Sequence, residues 1–251
     1  MRAVSLLFHD VYASDPRESG FRSPAADRYK LAIPDFEAQI DALVDACVPG
    51  SPIPVTLTFD DGGTSYYTAI ADRLEAMGLR GYCFVSTDFI GERGFLTADQ
   101  IRELDSRGHT IGTHSASHPQ RFSALTPAEM RGEWSNSRQR LEDILGRAVT
   151  AGSVPGGYFS TVVAKAAVDS GLRTLFTSEP TAKRSSSEDC TLIGRFTIRR
   201  GHPADMARRY ADSAPWARCG AWTGWNAKAL VKPVLGPSYA RIADWILEPN
   251  R

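Results

Sequence analysis

The chain has 251 residues, and its 29 Lys plus Arg are balanced by 29 Asp plus Glu. Neutral charge and an ordinary apolar share argue against a disordered chain or a polyanion-binding protein, and no nucleic-acid motif or membrane-length apolar run is present. Four scattered cysteines (Cys47, Cys83, Cys190, Cys219), with no C-x-x-C pair, read as reduced thiols rather than a disulfide framework.

Taken in chain order, short β-branched runs alternate with helical patterns, which predicts an α/β fold. Ala3–Phe8 reads as the first strand. Its apolar run, broken by His9 and Asp10, is too short for a secretion signal or a membrane span. With Met1 as the native start, the expectation is a cytoplasmic protein. Residues 12–29 mix Ser, Pro, Gly, Arg and Asp and predict a long loop over a site. Then follow a helix over Pro34–Cys47, a strand over Pro54–Phe59, a helix over Ser65–Met77 capped by Gly78, and a strand over Gly81–Val85. Thr97 with Gln100 predicts a capping box opening the helix Thr97–Ser106, and His109–Thr113 is the next strand. Thr126, Pro127 and Glu129 start a helix that runs to Leu145 before Gly146. Strands are expected at Thr150–Val154, Arg173–Thr177 and Leu192–Ile198, with helices at Ser160–Ser170, Pro203–Ala211 and Asn226–Leu247. The polar stretch Thr181–Asp189 reads as a loop. No repeat and no linker divides the chain, so one domain over residues 1–251 is expected, a size that barrels of strands and helices often use.

Two clusters carry chemistry. In Leu57-Thr58-Phe59-Asp60-Asp61-Gly62-Gly63 an apolar run ends in adjacent acids and two glycines. Neighbouring side chains on a strand point oppositely, but glycines at a strand end let the chain turn so that both carboxylates converge. Converging carboxylates repel and call for a cation or a shared proton. A plain Asp-Asp-Gly turn reads the same in isolation. In Gly112-Thr113-His114-Ser115-Ala116-Ser117-His118 the histidines are four apart, a spacing that places both on one face of a helical turn. Two His and one carboxylate leave open positions for water and substrate, as hydrolytic zinc sites require.

These residues resemble the first two motifs, T-F-D-D-G and H-S-x-S-H, of the NodB-type polysaccharide deacetylases, carbohydrate esterase family four. The likeness covers about Pro54 to Thr177. It implies a distorted (β/α) barrel of about seven strands and removal of acetyl groups from N-acetylated sugars. It further implies one divalent metal, zinc with cobalt or nickel as alternatives, held by Asp61, His114 and His118, with Asp60 as general base. The family's third motif, an Arg-x-Pro-Tyr-Gly-like loop, is matched by Ser153-Val154-Pro155-Gly156-Gly157-Tyr158. Pro155, Gly156 and Tyr158 are then substrate or oxyanion contacts, with the Gly156 N–H as donor. The motif Arg, which pairs with the catalytic Asp in the family, is replaced by Ser153. Arg195 or Arg199 is a candidate substitute, although a surface salt bridge is the expected fate of either. The late His-bearing strand has no good match beyond His202, whereas Ser5–Val11 resembles it. This is the arrangement of permuted family members, and it makes His9 the general acid. Two other readings stay open: an amide or imide hydrolase acting on a small molecule, and an inactive carbohydrate-binding module on the same scaffold. Trp245 is expected in the core, and Trp222 and Trp225 are open between core and sugar stacking.

Overall fold

The computed structural model describes residues 3–43, 54–157, 159–212 and 215–235. Apolar runs form most of the strands of one nine-stranded sheet. Its strands are β1 (Val4–Phe8), β4 (Val55–Phe59), β5 (Gly81–Val85), β6 (Thr110–Thr113), β7 (Ala151–Ser153), β8 (Thr174–Phe176), β9 (Arg184–Ser187), β10 (Cys190–Ile193) and β11 (Phe196–Thr197). A separate pair joins β2 (Val11–Tyr12) to β3 (Leu31–Ala32). The sheet order is β11-β1-β4-β5-β6-β7-β8-β10-β9, and every pairing is parallel except β10 with β9. Parallel strands covered on both faces read as continuous apolar runs, and all of β1 is buried accordingly. The result is a distorted barrel of strands and helices whose hydrogen-bonded ladder ends at β11 and β9.

The alternation of strand side chains sets what faces the site. On β4, Leu57 and Phe59 join the main core with Phe8, Phe36, Ile70 and Leu74. Phe8 and Phe59 are paired in register and stack at 5.3 Å between ring centroids, with Phe36 edge-on to Phe8 at 5.7 Å. Such aromatic pairs add ~0.5–1.5 kcal/mol each beyond the area they bury. Thr58 has the opposite parity and points toward Arg195. Asp60, two residues on, keeps that direction. A second core cluster gathers Trp134, Phe122, Val163 and Leu175 on the far side.

Helix boundaries follow local chemistry. The capping boxes at Thr97–Gln100 and Thr126–Glu129 are both formed, and Gly146 ends the helix Pro127–Leu145 in the left-handed region at φ 68°. Several segments differ from expectation. The helix after Ser65 begins as a π-helical turn, Tyr66–Ile70, before becoming α-helical over Ala71–Ala76. The single late strand is two, because Gly194 and Arg195 interrupt it between β10 and β11. The polar stretch read as a loop contains β9, whose serines pair as an edge strand despite their low strand propensity. The last described helix starts earlier than expected, spanning Pro215–Leu235 and taking Trp222 and Trp225 into it. The expected ends of the helices to Cys47 and Leu247, and Trp245, lie outside the described residues.

Candidate active site

Both motifs end strands at the same rim. Asp60 and Asp61 follow β4, and His114 follows β6. The turn after β4 is tight: Asp61 has φ 81° and Gly62 φ 80°. A Cβ on Gly62 would lie 3.0 Å from Val85, and one on Gly63 would run into the Asp10 carboxylate. Glycine therefore lets the acids turn inward against packed neighbours.

The histidines four apart are not on a helical turn. They flank a loop in which Ser115 (φ 67°) and His118 (φ 54°) adopt left-handed conformations, uncommon for non-glycine residues. Glu133, from the helix Pro127–Leu145, holds that loop by accepting from Ala116 N, Ser117 N and Ser117 Oγ at 2.9, 2.9 and 2.7 Å. The His118 N–H donates to Ser115 Oγ at 3.1 Å. The two imidazoles thus meet through loop geometry, with ring centroids 5.0 Å apart.

Asp61, His114 and His118 each offer an atom to one point, all within 4.8 Å of one another. Asp61 Oδ1 lies 3.5 Å from His114 Nε2 and 3.5 Å from His118 Nε2. A tetrahedral ion with bonds of ~2.0–2.1 Å sets its ligand atoms about 3.3–3.4 Å apart, so the group fits a zinc-sized cation. His114 Nδ1 donates to the Ser153 carbonyl at 2.9 Å, which fixes the tautomer and leaves Nε2 with a lone pair for a metal. Burial lowers the His114 pKa to about 3 and lowers that of His118 as well, so both rings are neutral at ordinary pH. The Asp61 carboxyl is raised to about 7, first by burial and then by the charges of Asp10 and Asp60, against the pull of His9. A buried acid beside other acids and two neutral imidazoles is a site short of one positive charge.

Asp60 has its positive charge. Arg195, fully buried at 0% exposure, donates from Nη1 to Oδ1 at 2.7 Å and from Nη2 to Oδ2 at 2.9 Å. Ser153 Oγ donates to Oδ2 at 2.9 Å and accepts from Arg195 Nη2 at 2.7 Å. The guanidinium is held in turn by the Thr177 carbonyl and Thr58 Oγ1. Burial alone would push the Asp60 carboxyl up. Arg195, with His114 and His9, outweighs it and keeps the group well below the usual carboxylate range. The expectation of a surface salt bridge for Arg195 is therefore overturned. The chain crosses from β10 near one end of the sheet to β11 at the other, and the crossing carries Arg195 into the barrel. Arg199 goes elsewhere, its Nε 3.3 Å from His202 Nε2. The signal for Arg195 was present in the sequence as a lone cation inside the apolar run Leu192–Ile198.

His9 follows β1, the strand next to β4, and the carboxylates of Asp61 and Asp60 act on it. Burial lowers its pKa while those two acids pull it upward. Tyr29, 39% exposed, covers the ring at 4.9 Å between centroids. His202 lies near Arg199 rather than the acids, and burial with that cation lowers it to about 4. Pro155 is buried, and Gly156 is exposed with φ 64° at the rim formed by the end of β7. Tyr158 lies outside the described residues. Trp225 approaches this turn, since a Cβ on Gly157 would lie 3.2 Å from its ring, whereas Trp222 is 53% exposed. His109 is structural, bonded to Tyr66 Oη at 2.8 Å and Glu75 at 3.0 Å.

The family profile described as polysaccharide deacetylase matches residues 48–175. The chain is 30% identical over 152 residues to the peptidoglycan-N-acetylmuramic acid deacetylase PdaA of Bacillus subtilis (strain 168), covering 58% of this chain and 56% of that one. It is 30% identical over 132 residues to a chitin deacetylase of Pestalotiopsis sp, covering 52% of this chain and 43% of that one. The chain spans about half the length of the curated relatives it matches. The Streptococcus pyogenes deacetylase PplD, solved in complex with acetate, shares the fold with a TM-score of 0.66 at 17% identity, covering 83% of this chain and 97% of that one. No helix among the described residues is long and apolar enough to cross a membrane.

Proposed function

The chain belongs to the polysaccharide deacetylase family, and on that premise we propose that it hydrolyses the acetamide of an N-acetylated sugar to acetate and a free amine. One observation carries the proposal: an ionised acid locked by Arg195 and Ser153 stands beside a separate Asp-His-His group spaced for one cation. The donor set of one carboxylate and two neutral imidazoles favours zinc, with cobalt or nickel able to take the same ligands. When bound, such an ion supplies Lewis-acid polarisation of the acetyl carbonyl and acidifies water.

The chain's own groups divide the remaining work. Asp60 accepts the proton of the attacking water. Three hydrogen bonds already occupy its carboxylate, leaving roughly one lone-pair direction free for that proton. The Gly156 N–H, exposed at the rim, donates to the oxygen that becomes negative as water adds to the carbonyl. The C–N bond then breaks, and the departing amine takes its proton from His9, whose protonated form the charges of Asp61 and Asp60 favour against its burial. The absence of the motif Arg at Ser153 would favour an inactive binding module, but Arg195 pairs with Asp60 in its stead. The deciding experiment is acetate release from N-acetylated mono-, oligo- and polysaccharides, with and without chelator. Release from a sugar that chelation abolishes is expected. No release from any of them would sink the proposal.

A further inference from the structure

The segment 12–29 lies over the rim, and one buried cation holds it there. Lys30 is 1% exposed, and its Nζ donates to the carbonyls of Pro16, Ser19 and Phe21 at 2.7, 2.7 and 2.6 Å. Asp27 Oδ1 stands 3.6 Å away. An ammonium carries three protons, and each is used on the backbone of one short stretch. Asp27 thus answers the charge at ion-pair distance while all three protons go to loop carbonyls, so Lys30 shapes that loop.

What the loop touches is the site. Ser19 Oγ donates to Asp10 Oδ1 at 2.6 Å and accepts from Ser65 N at 2.8 Å, and Ser65 Oγ donates to the same carboxylate oxygen at 2.7 Å. Gly20 N donates to the Gly94 carbonyl at 2.7 Å, and Thr64 N, in the turn after the paired acids, donates to that carbonyl at 2.9 Å. Phe21 then packs against His118, ring centroids 4.6 Å apart, backed by Phe89 at 4.8 Å and Phe95 at 5.0 Å. His118 is the most exposed of the three candidate ligands, with 23% of its side chain open to solvent. Its ring needs an external wall to hold one orientation, and Phe21 is that wall.

We propose that Lys30 is a positioning residue for the metal site, pinning 16–21 so that Phe21 orients the His118 imidazole toward Asp61 and His114. This rests on the metal-site half of the proposed function and adds the device that presets one ligand. Loss of groups that orient a ligand from behind weakens metal affinity by about 10–100-fold.

Calorimetric zinc titration of the metal-free protein tests it, using wild type, Lys30→Met, Phe21→Ala and the double variant. Each single change is expected to weaken zinc binding about 10–100-fold. The double variant should be no weaker than the worse single one, because both act through one contact. A folded Lys30→Met protein with wild-type affinity would overturn the proposal. So would wild-type affinity in Phe21→Ala, which decides the matter if Lys30→Met does not fold, and so would a wild-type chain that binds no zinc. Acetate release is measured separately. A wild-type chain that binds zinc and releases no acetate defeats the deacetylase reading and leaves this inference standing.

Discussion

Asp60 and Asp61 are consecutive residues, equally hidden at 5% and 6% exposure, yet their surroundings push them in opposite directions. Asp60 faces a guanidinium and a hydroxyl and stays ionised far below ordinary carboxylate values. Asp61 faces two neutral imidazoles and other acids, and its carboxyl is raised to about 7. Burial is the largest influence on both. The difference is whether a fixed positive charge is built in or left for a metal to supply. One acid is thereby suited to take a proton and the other to bind a cation.

The two acids differ most in what their loss removes, and Asp61 has the larger effect. Asp61→Asn should lose stoichiometric zinc and all measurable turnover, read by metal analysis after dialysis; full zinc retention would mean Asp61 is not a ligand. Arg195→Met should keep zinc but slow turnover by about 10²–10⁴-fold, since the base loses the charge that sets its state. The same change leaves a buried carboxylate unpaired and should lower unfolding stability by roughly 3–5 kcal/mol in denaturant titration. Unaltered rates would remove Arg195 from the mechanism. His9→Ala should cost about 10²–10⁴-fold with zinc retained, while His202→Ala, away from both acids, stays near wild type. The reverse order would exchange the two histidines.

Proton linkage sharpens the contrast at smaller scale. In the metal-free protein Asp61 is protonated below about 7, so zinc must displace that proton. Zinc affinity is expected to fall about tenfold per pH unit below that value and to level off above it. Asp60, already ionised, adds no slope in this range. A flat affinity from pH 5 to 8 would contradict the raised Asp61. The smallest effect is at Ser153→Ala, which removes one of the three bonds to Asp60 and should cost about 1–3 kcal/mol of stability or barrier, with zinc binding unchanged.

Several features were legible in the sequence because they are local. Thr126, Pro127, Glu129 and Gly146 mark both ends of a helix through contacts within a few residues of each cap. The acids at the end of β4 and the histidines after β6 lie one strand apart in the parallel sheet order, so their strand ends share a rim once the runs are assigned. Spacing misled where backbone conformation was special: His114 and His118 meet through left-handed loop residues, which a helical spacing rule does not describe. The serines of β9 carried too little strand character to reveal an edge strand that pairing with β10 creates.

The sequence by itself determined the alternation of elements, the two motif-bearing strand ends and the kind of chemistry their side chains can perform, because each depends on residue type and short-range geometry. Only the tertiary structure decided that Arg195 enters the barrel to meet Asp60, 135 positions away, and that Lys30 ties a loop over His118. Those outcomes depend on which groups share a buried volume. In such a volume a charge must find a partner or leave, and no pattern along the chain names the partner.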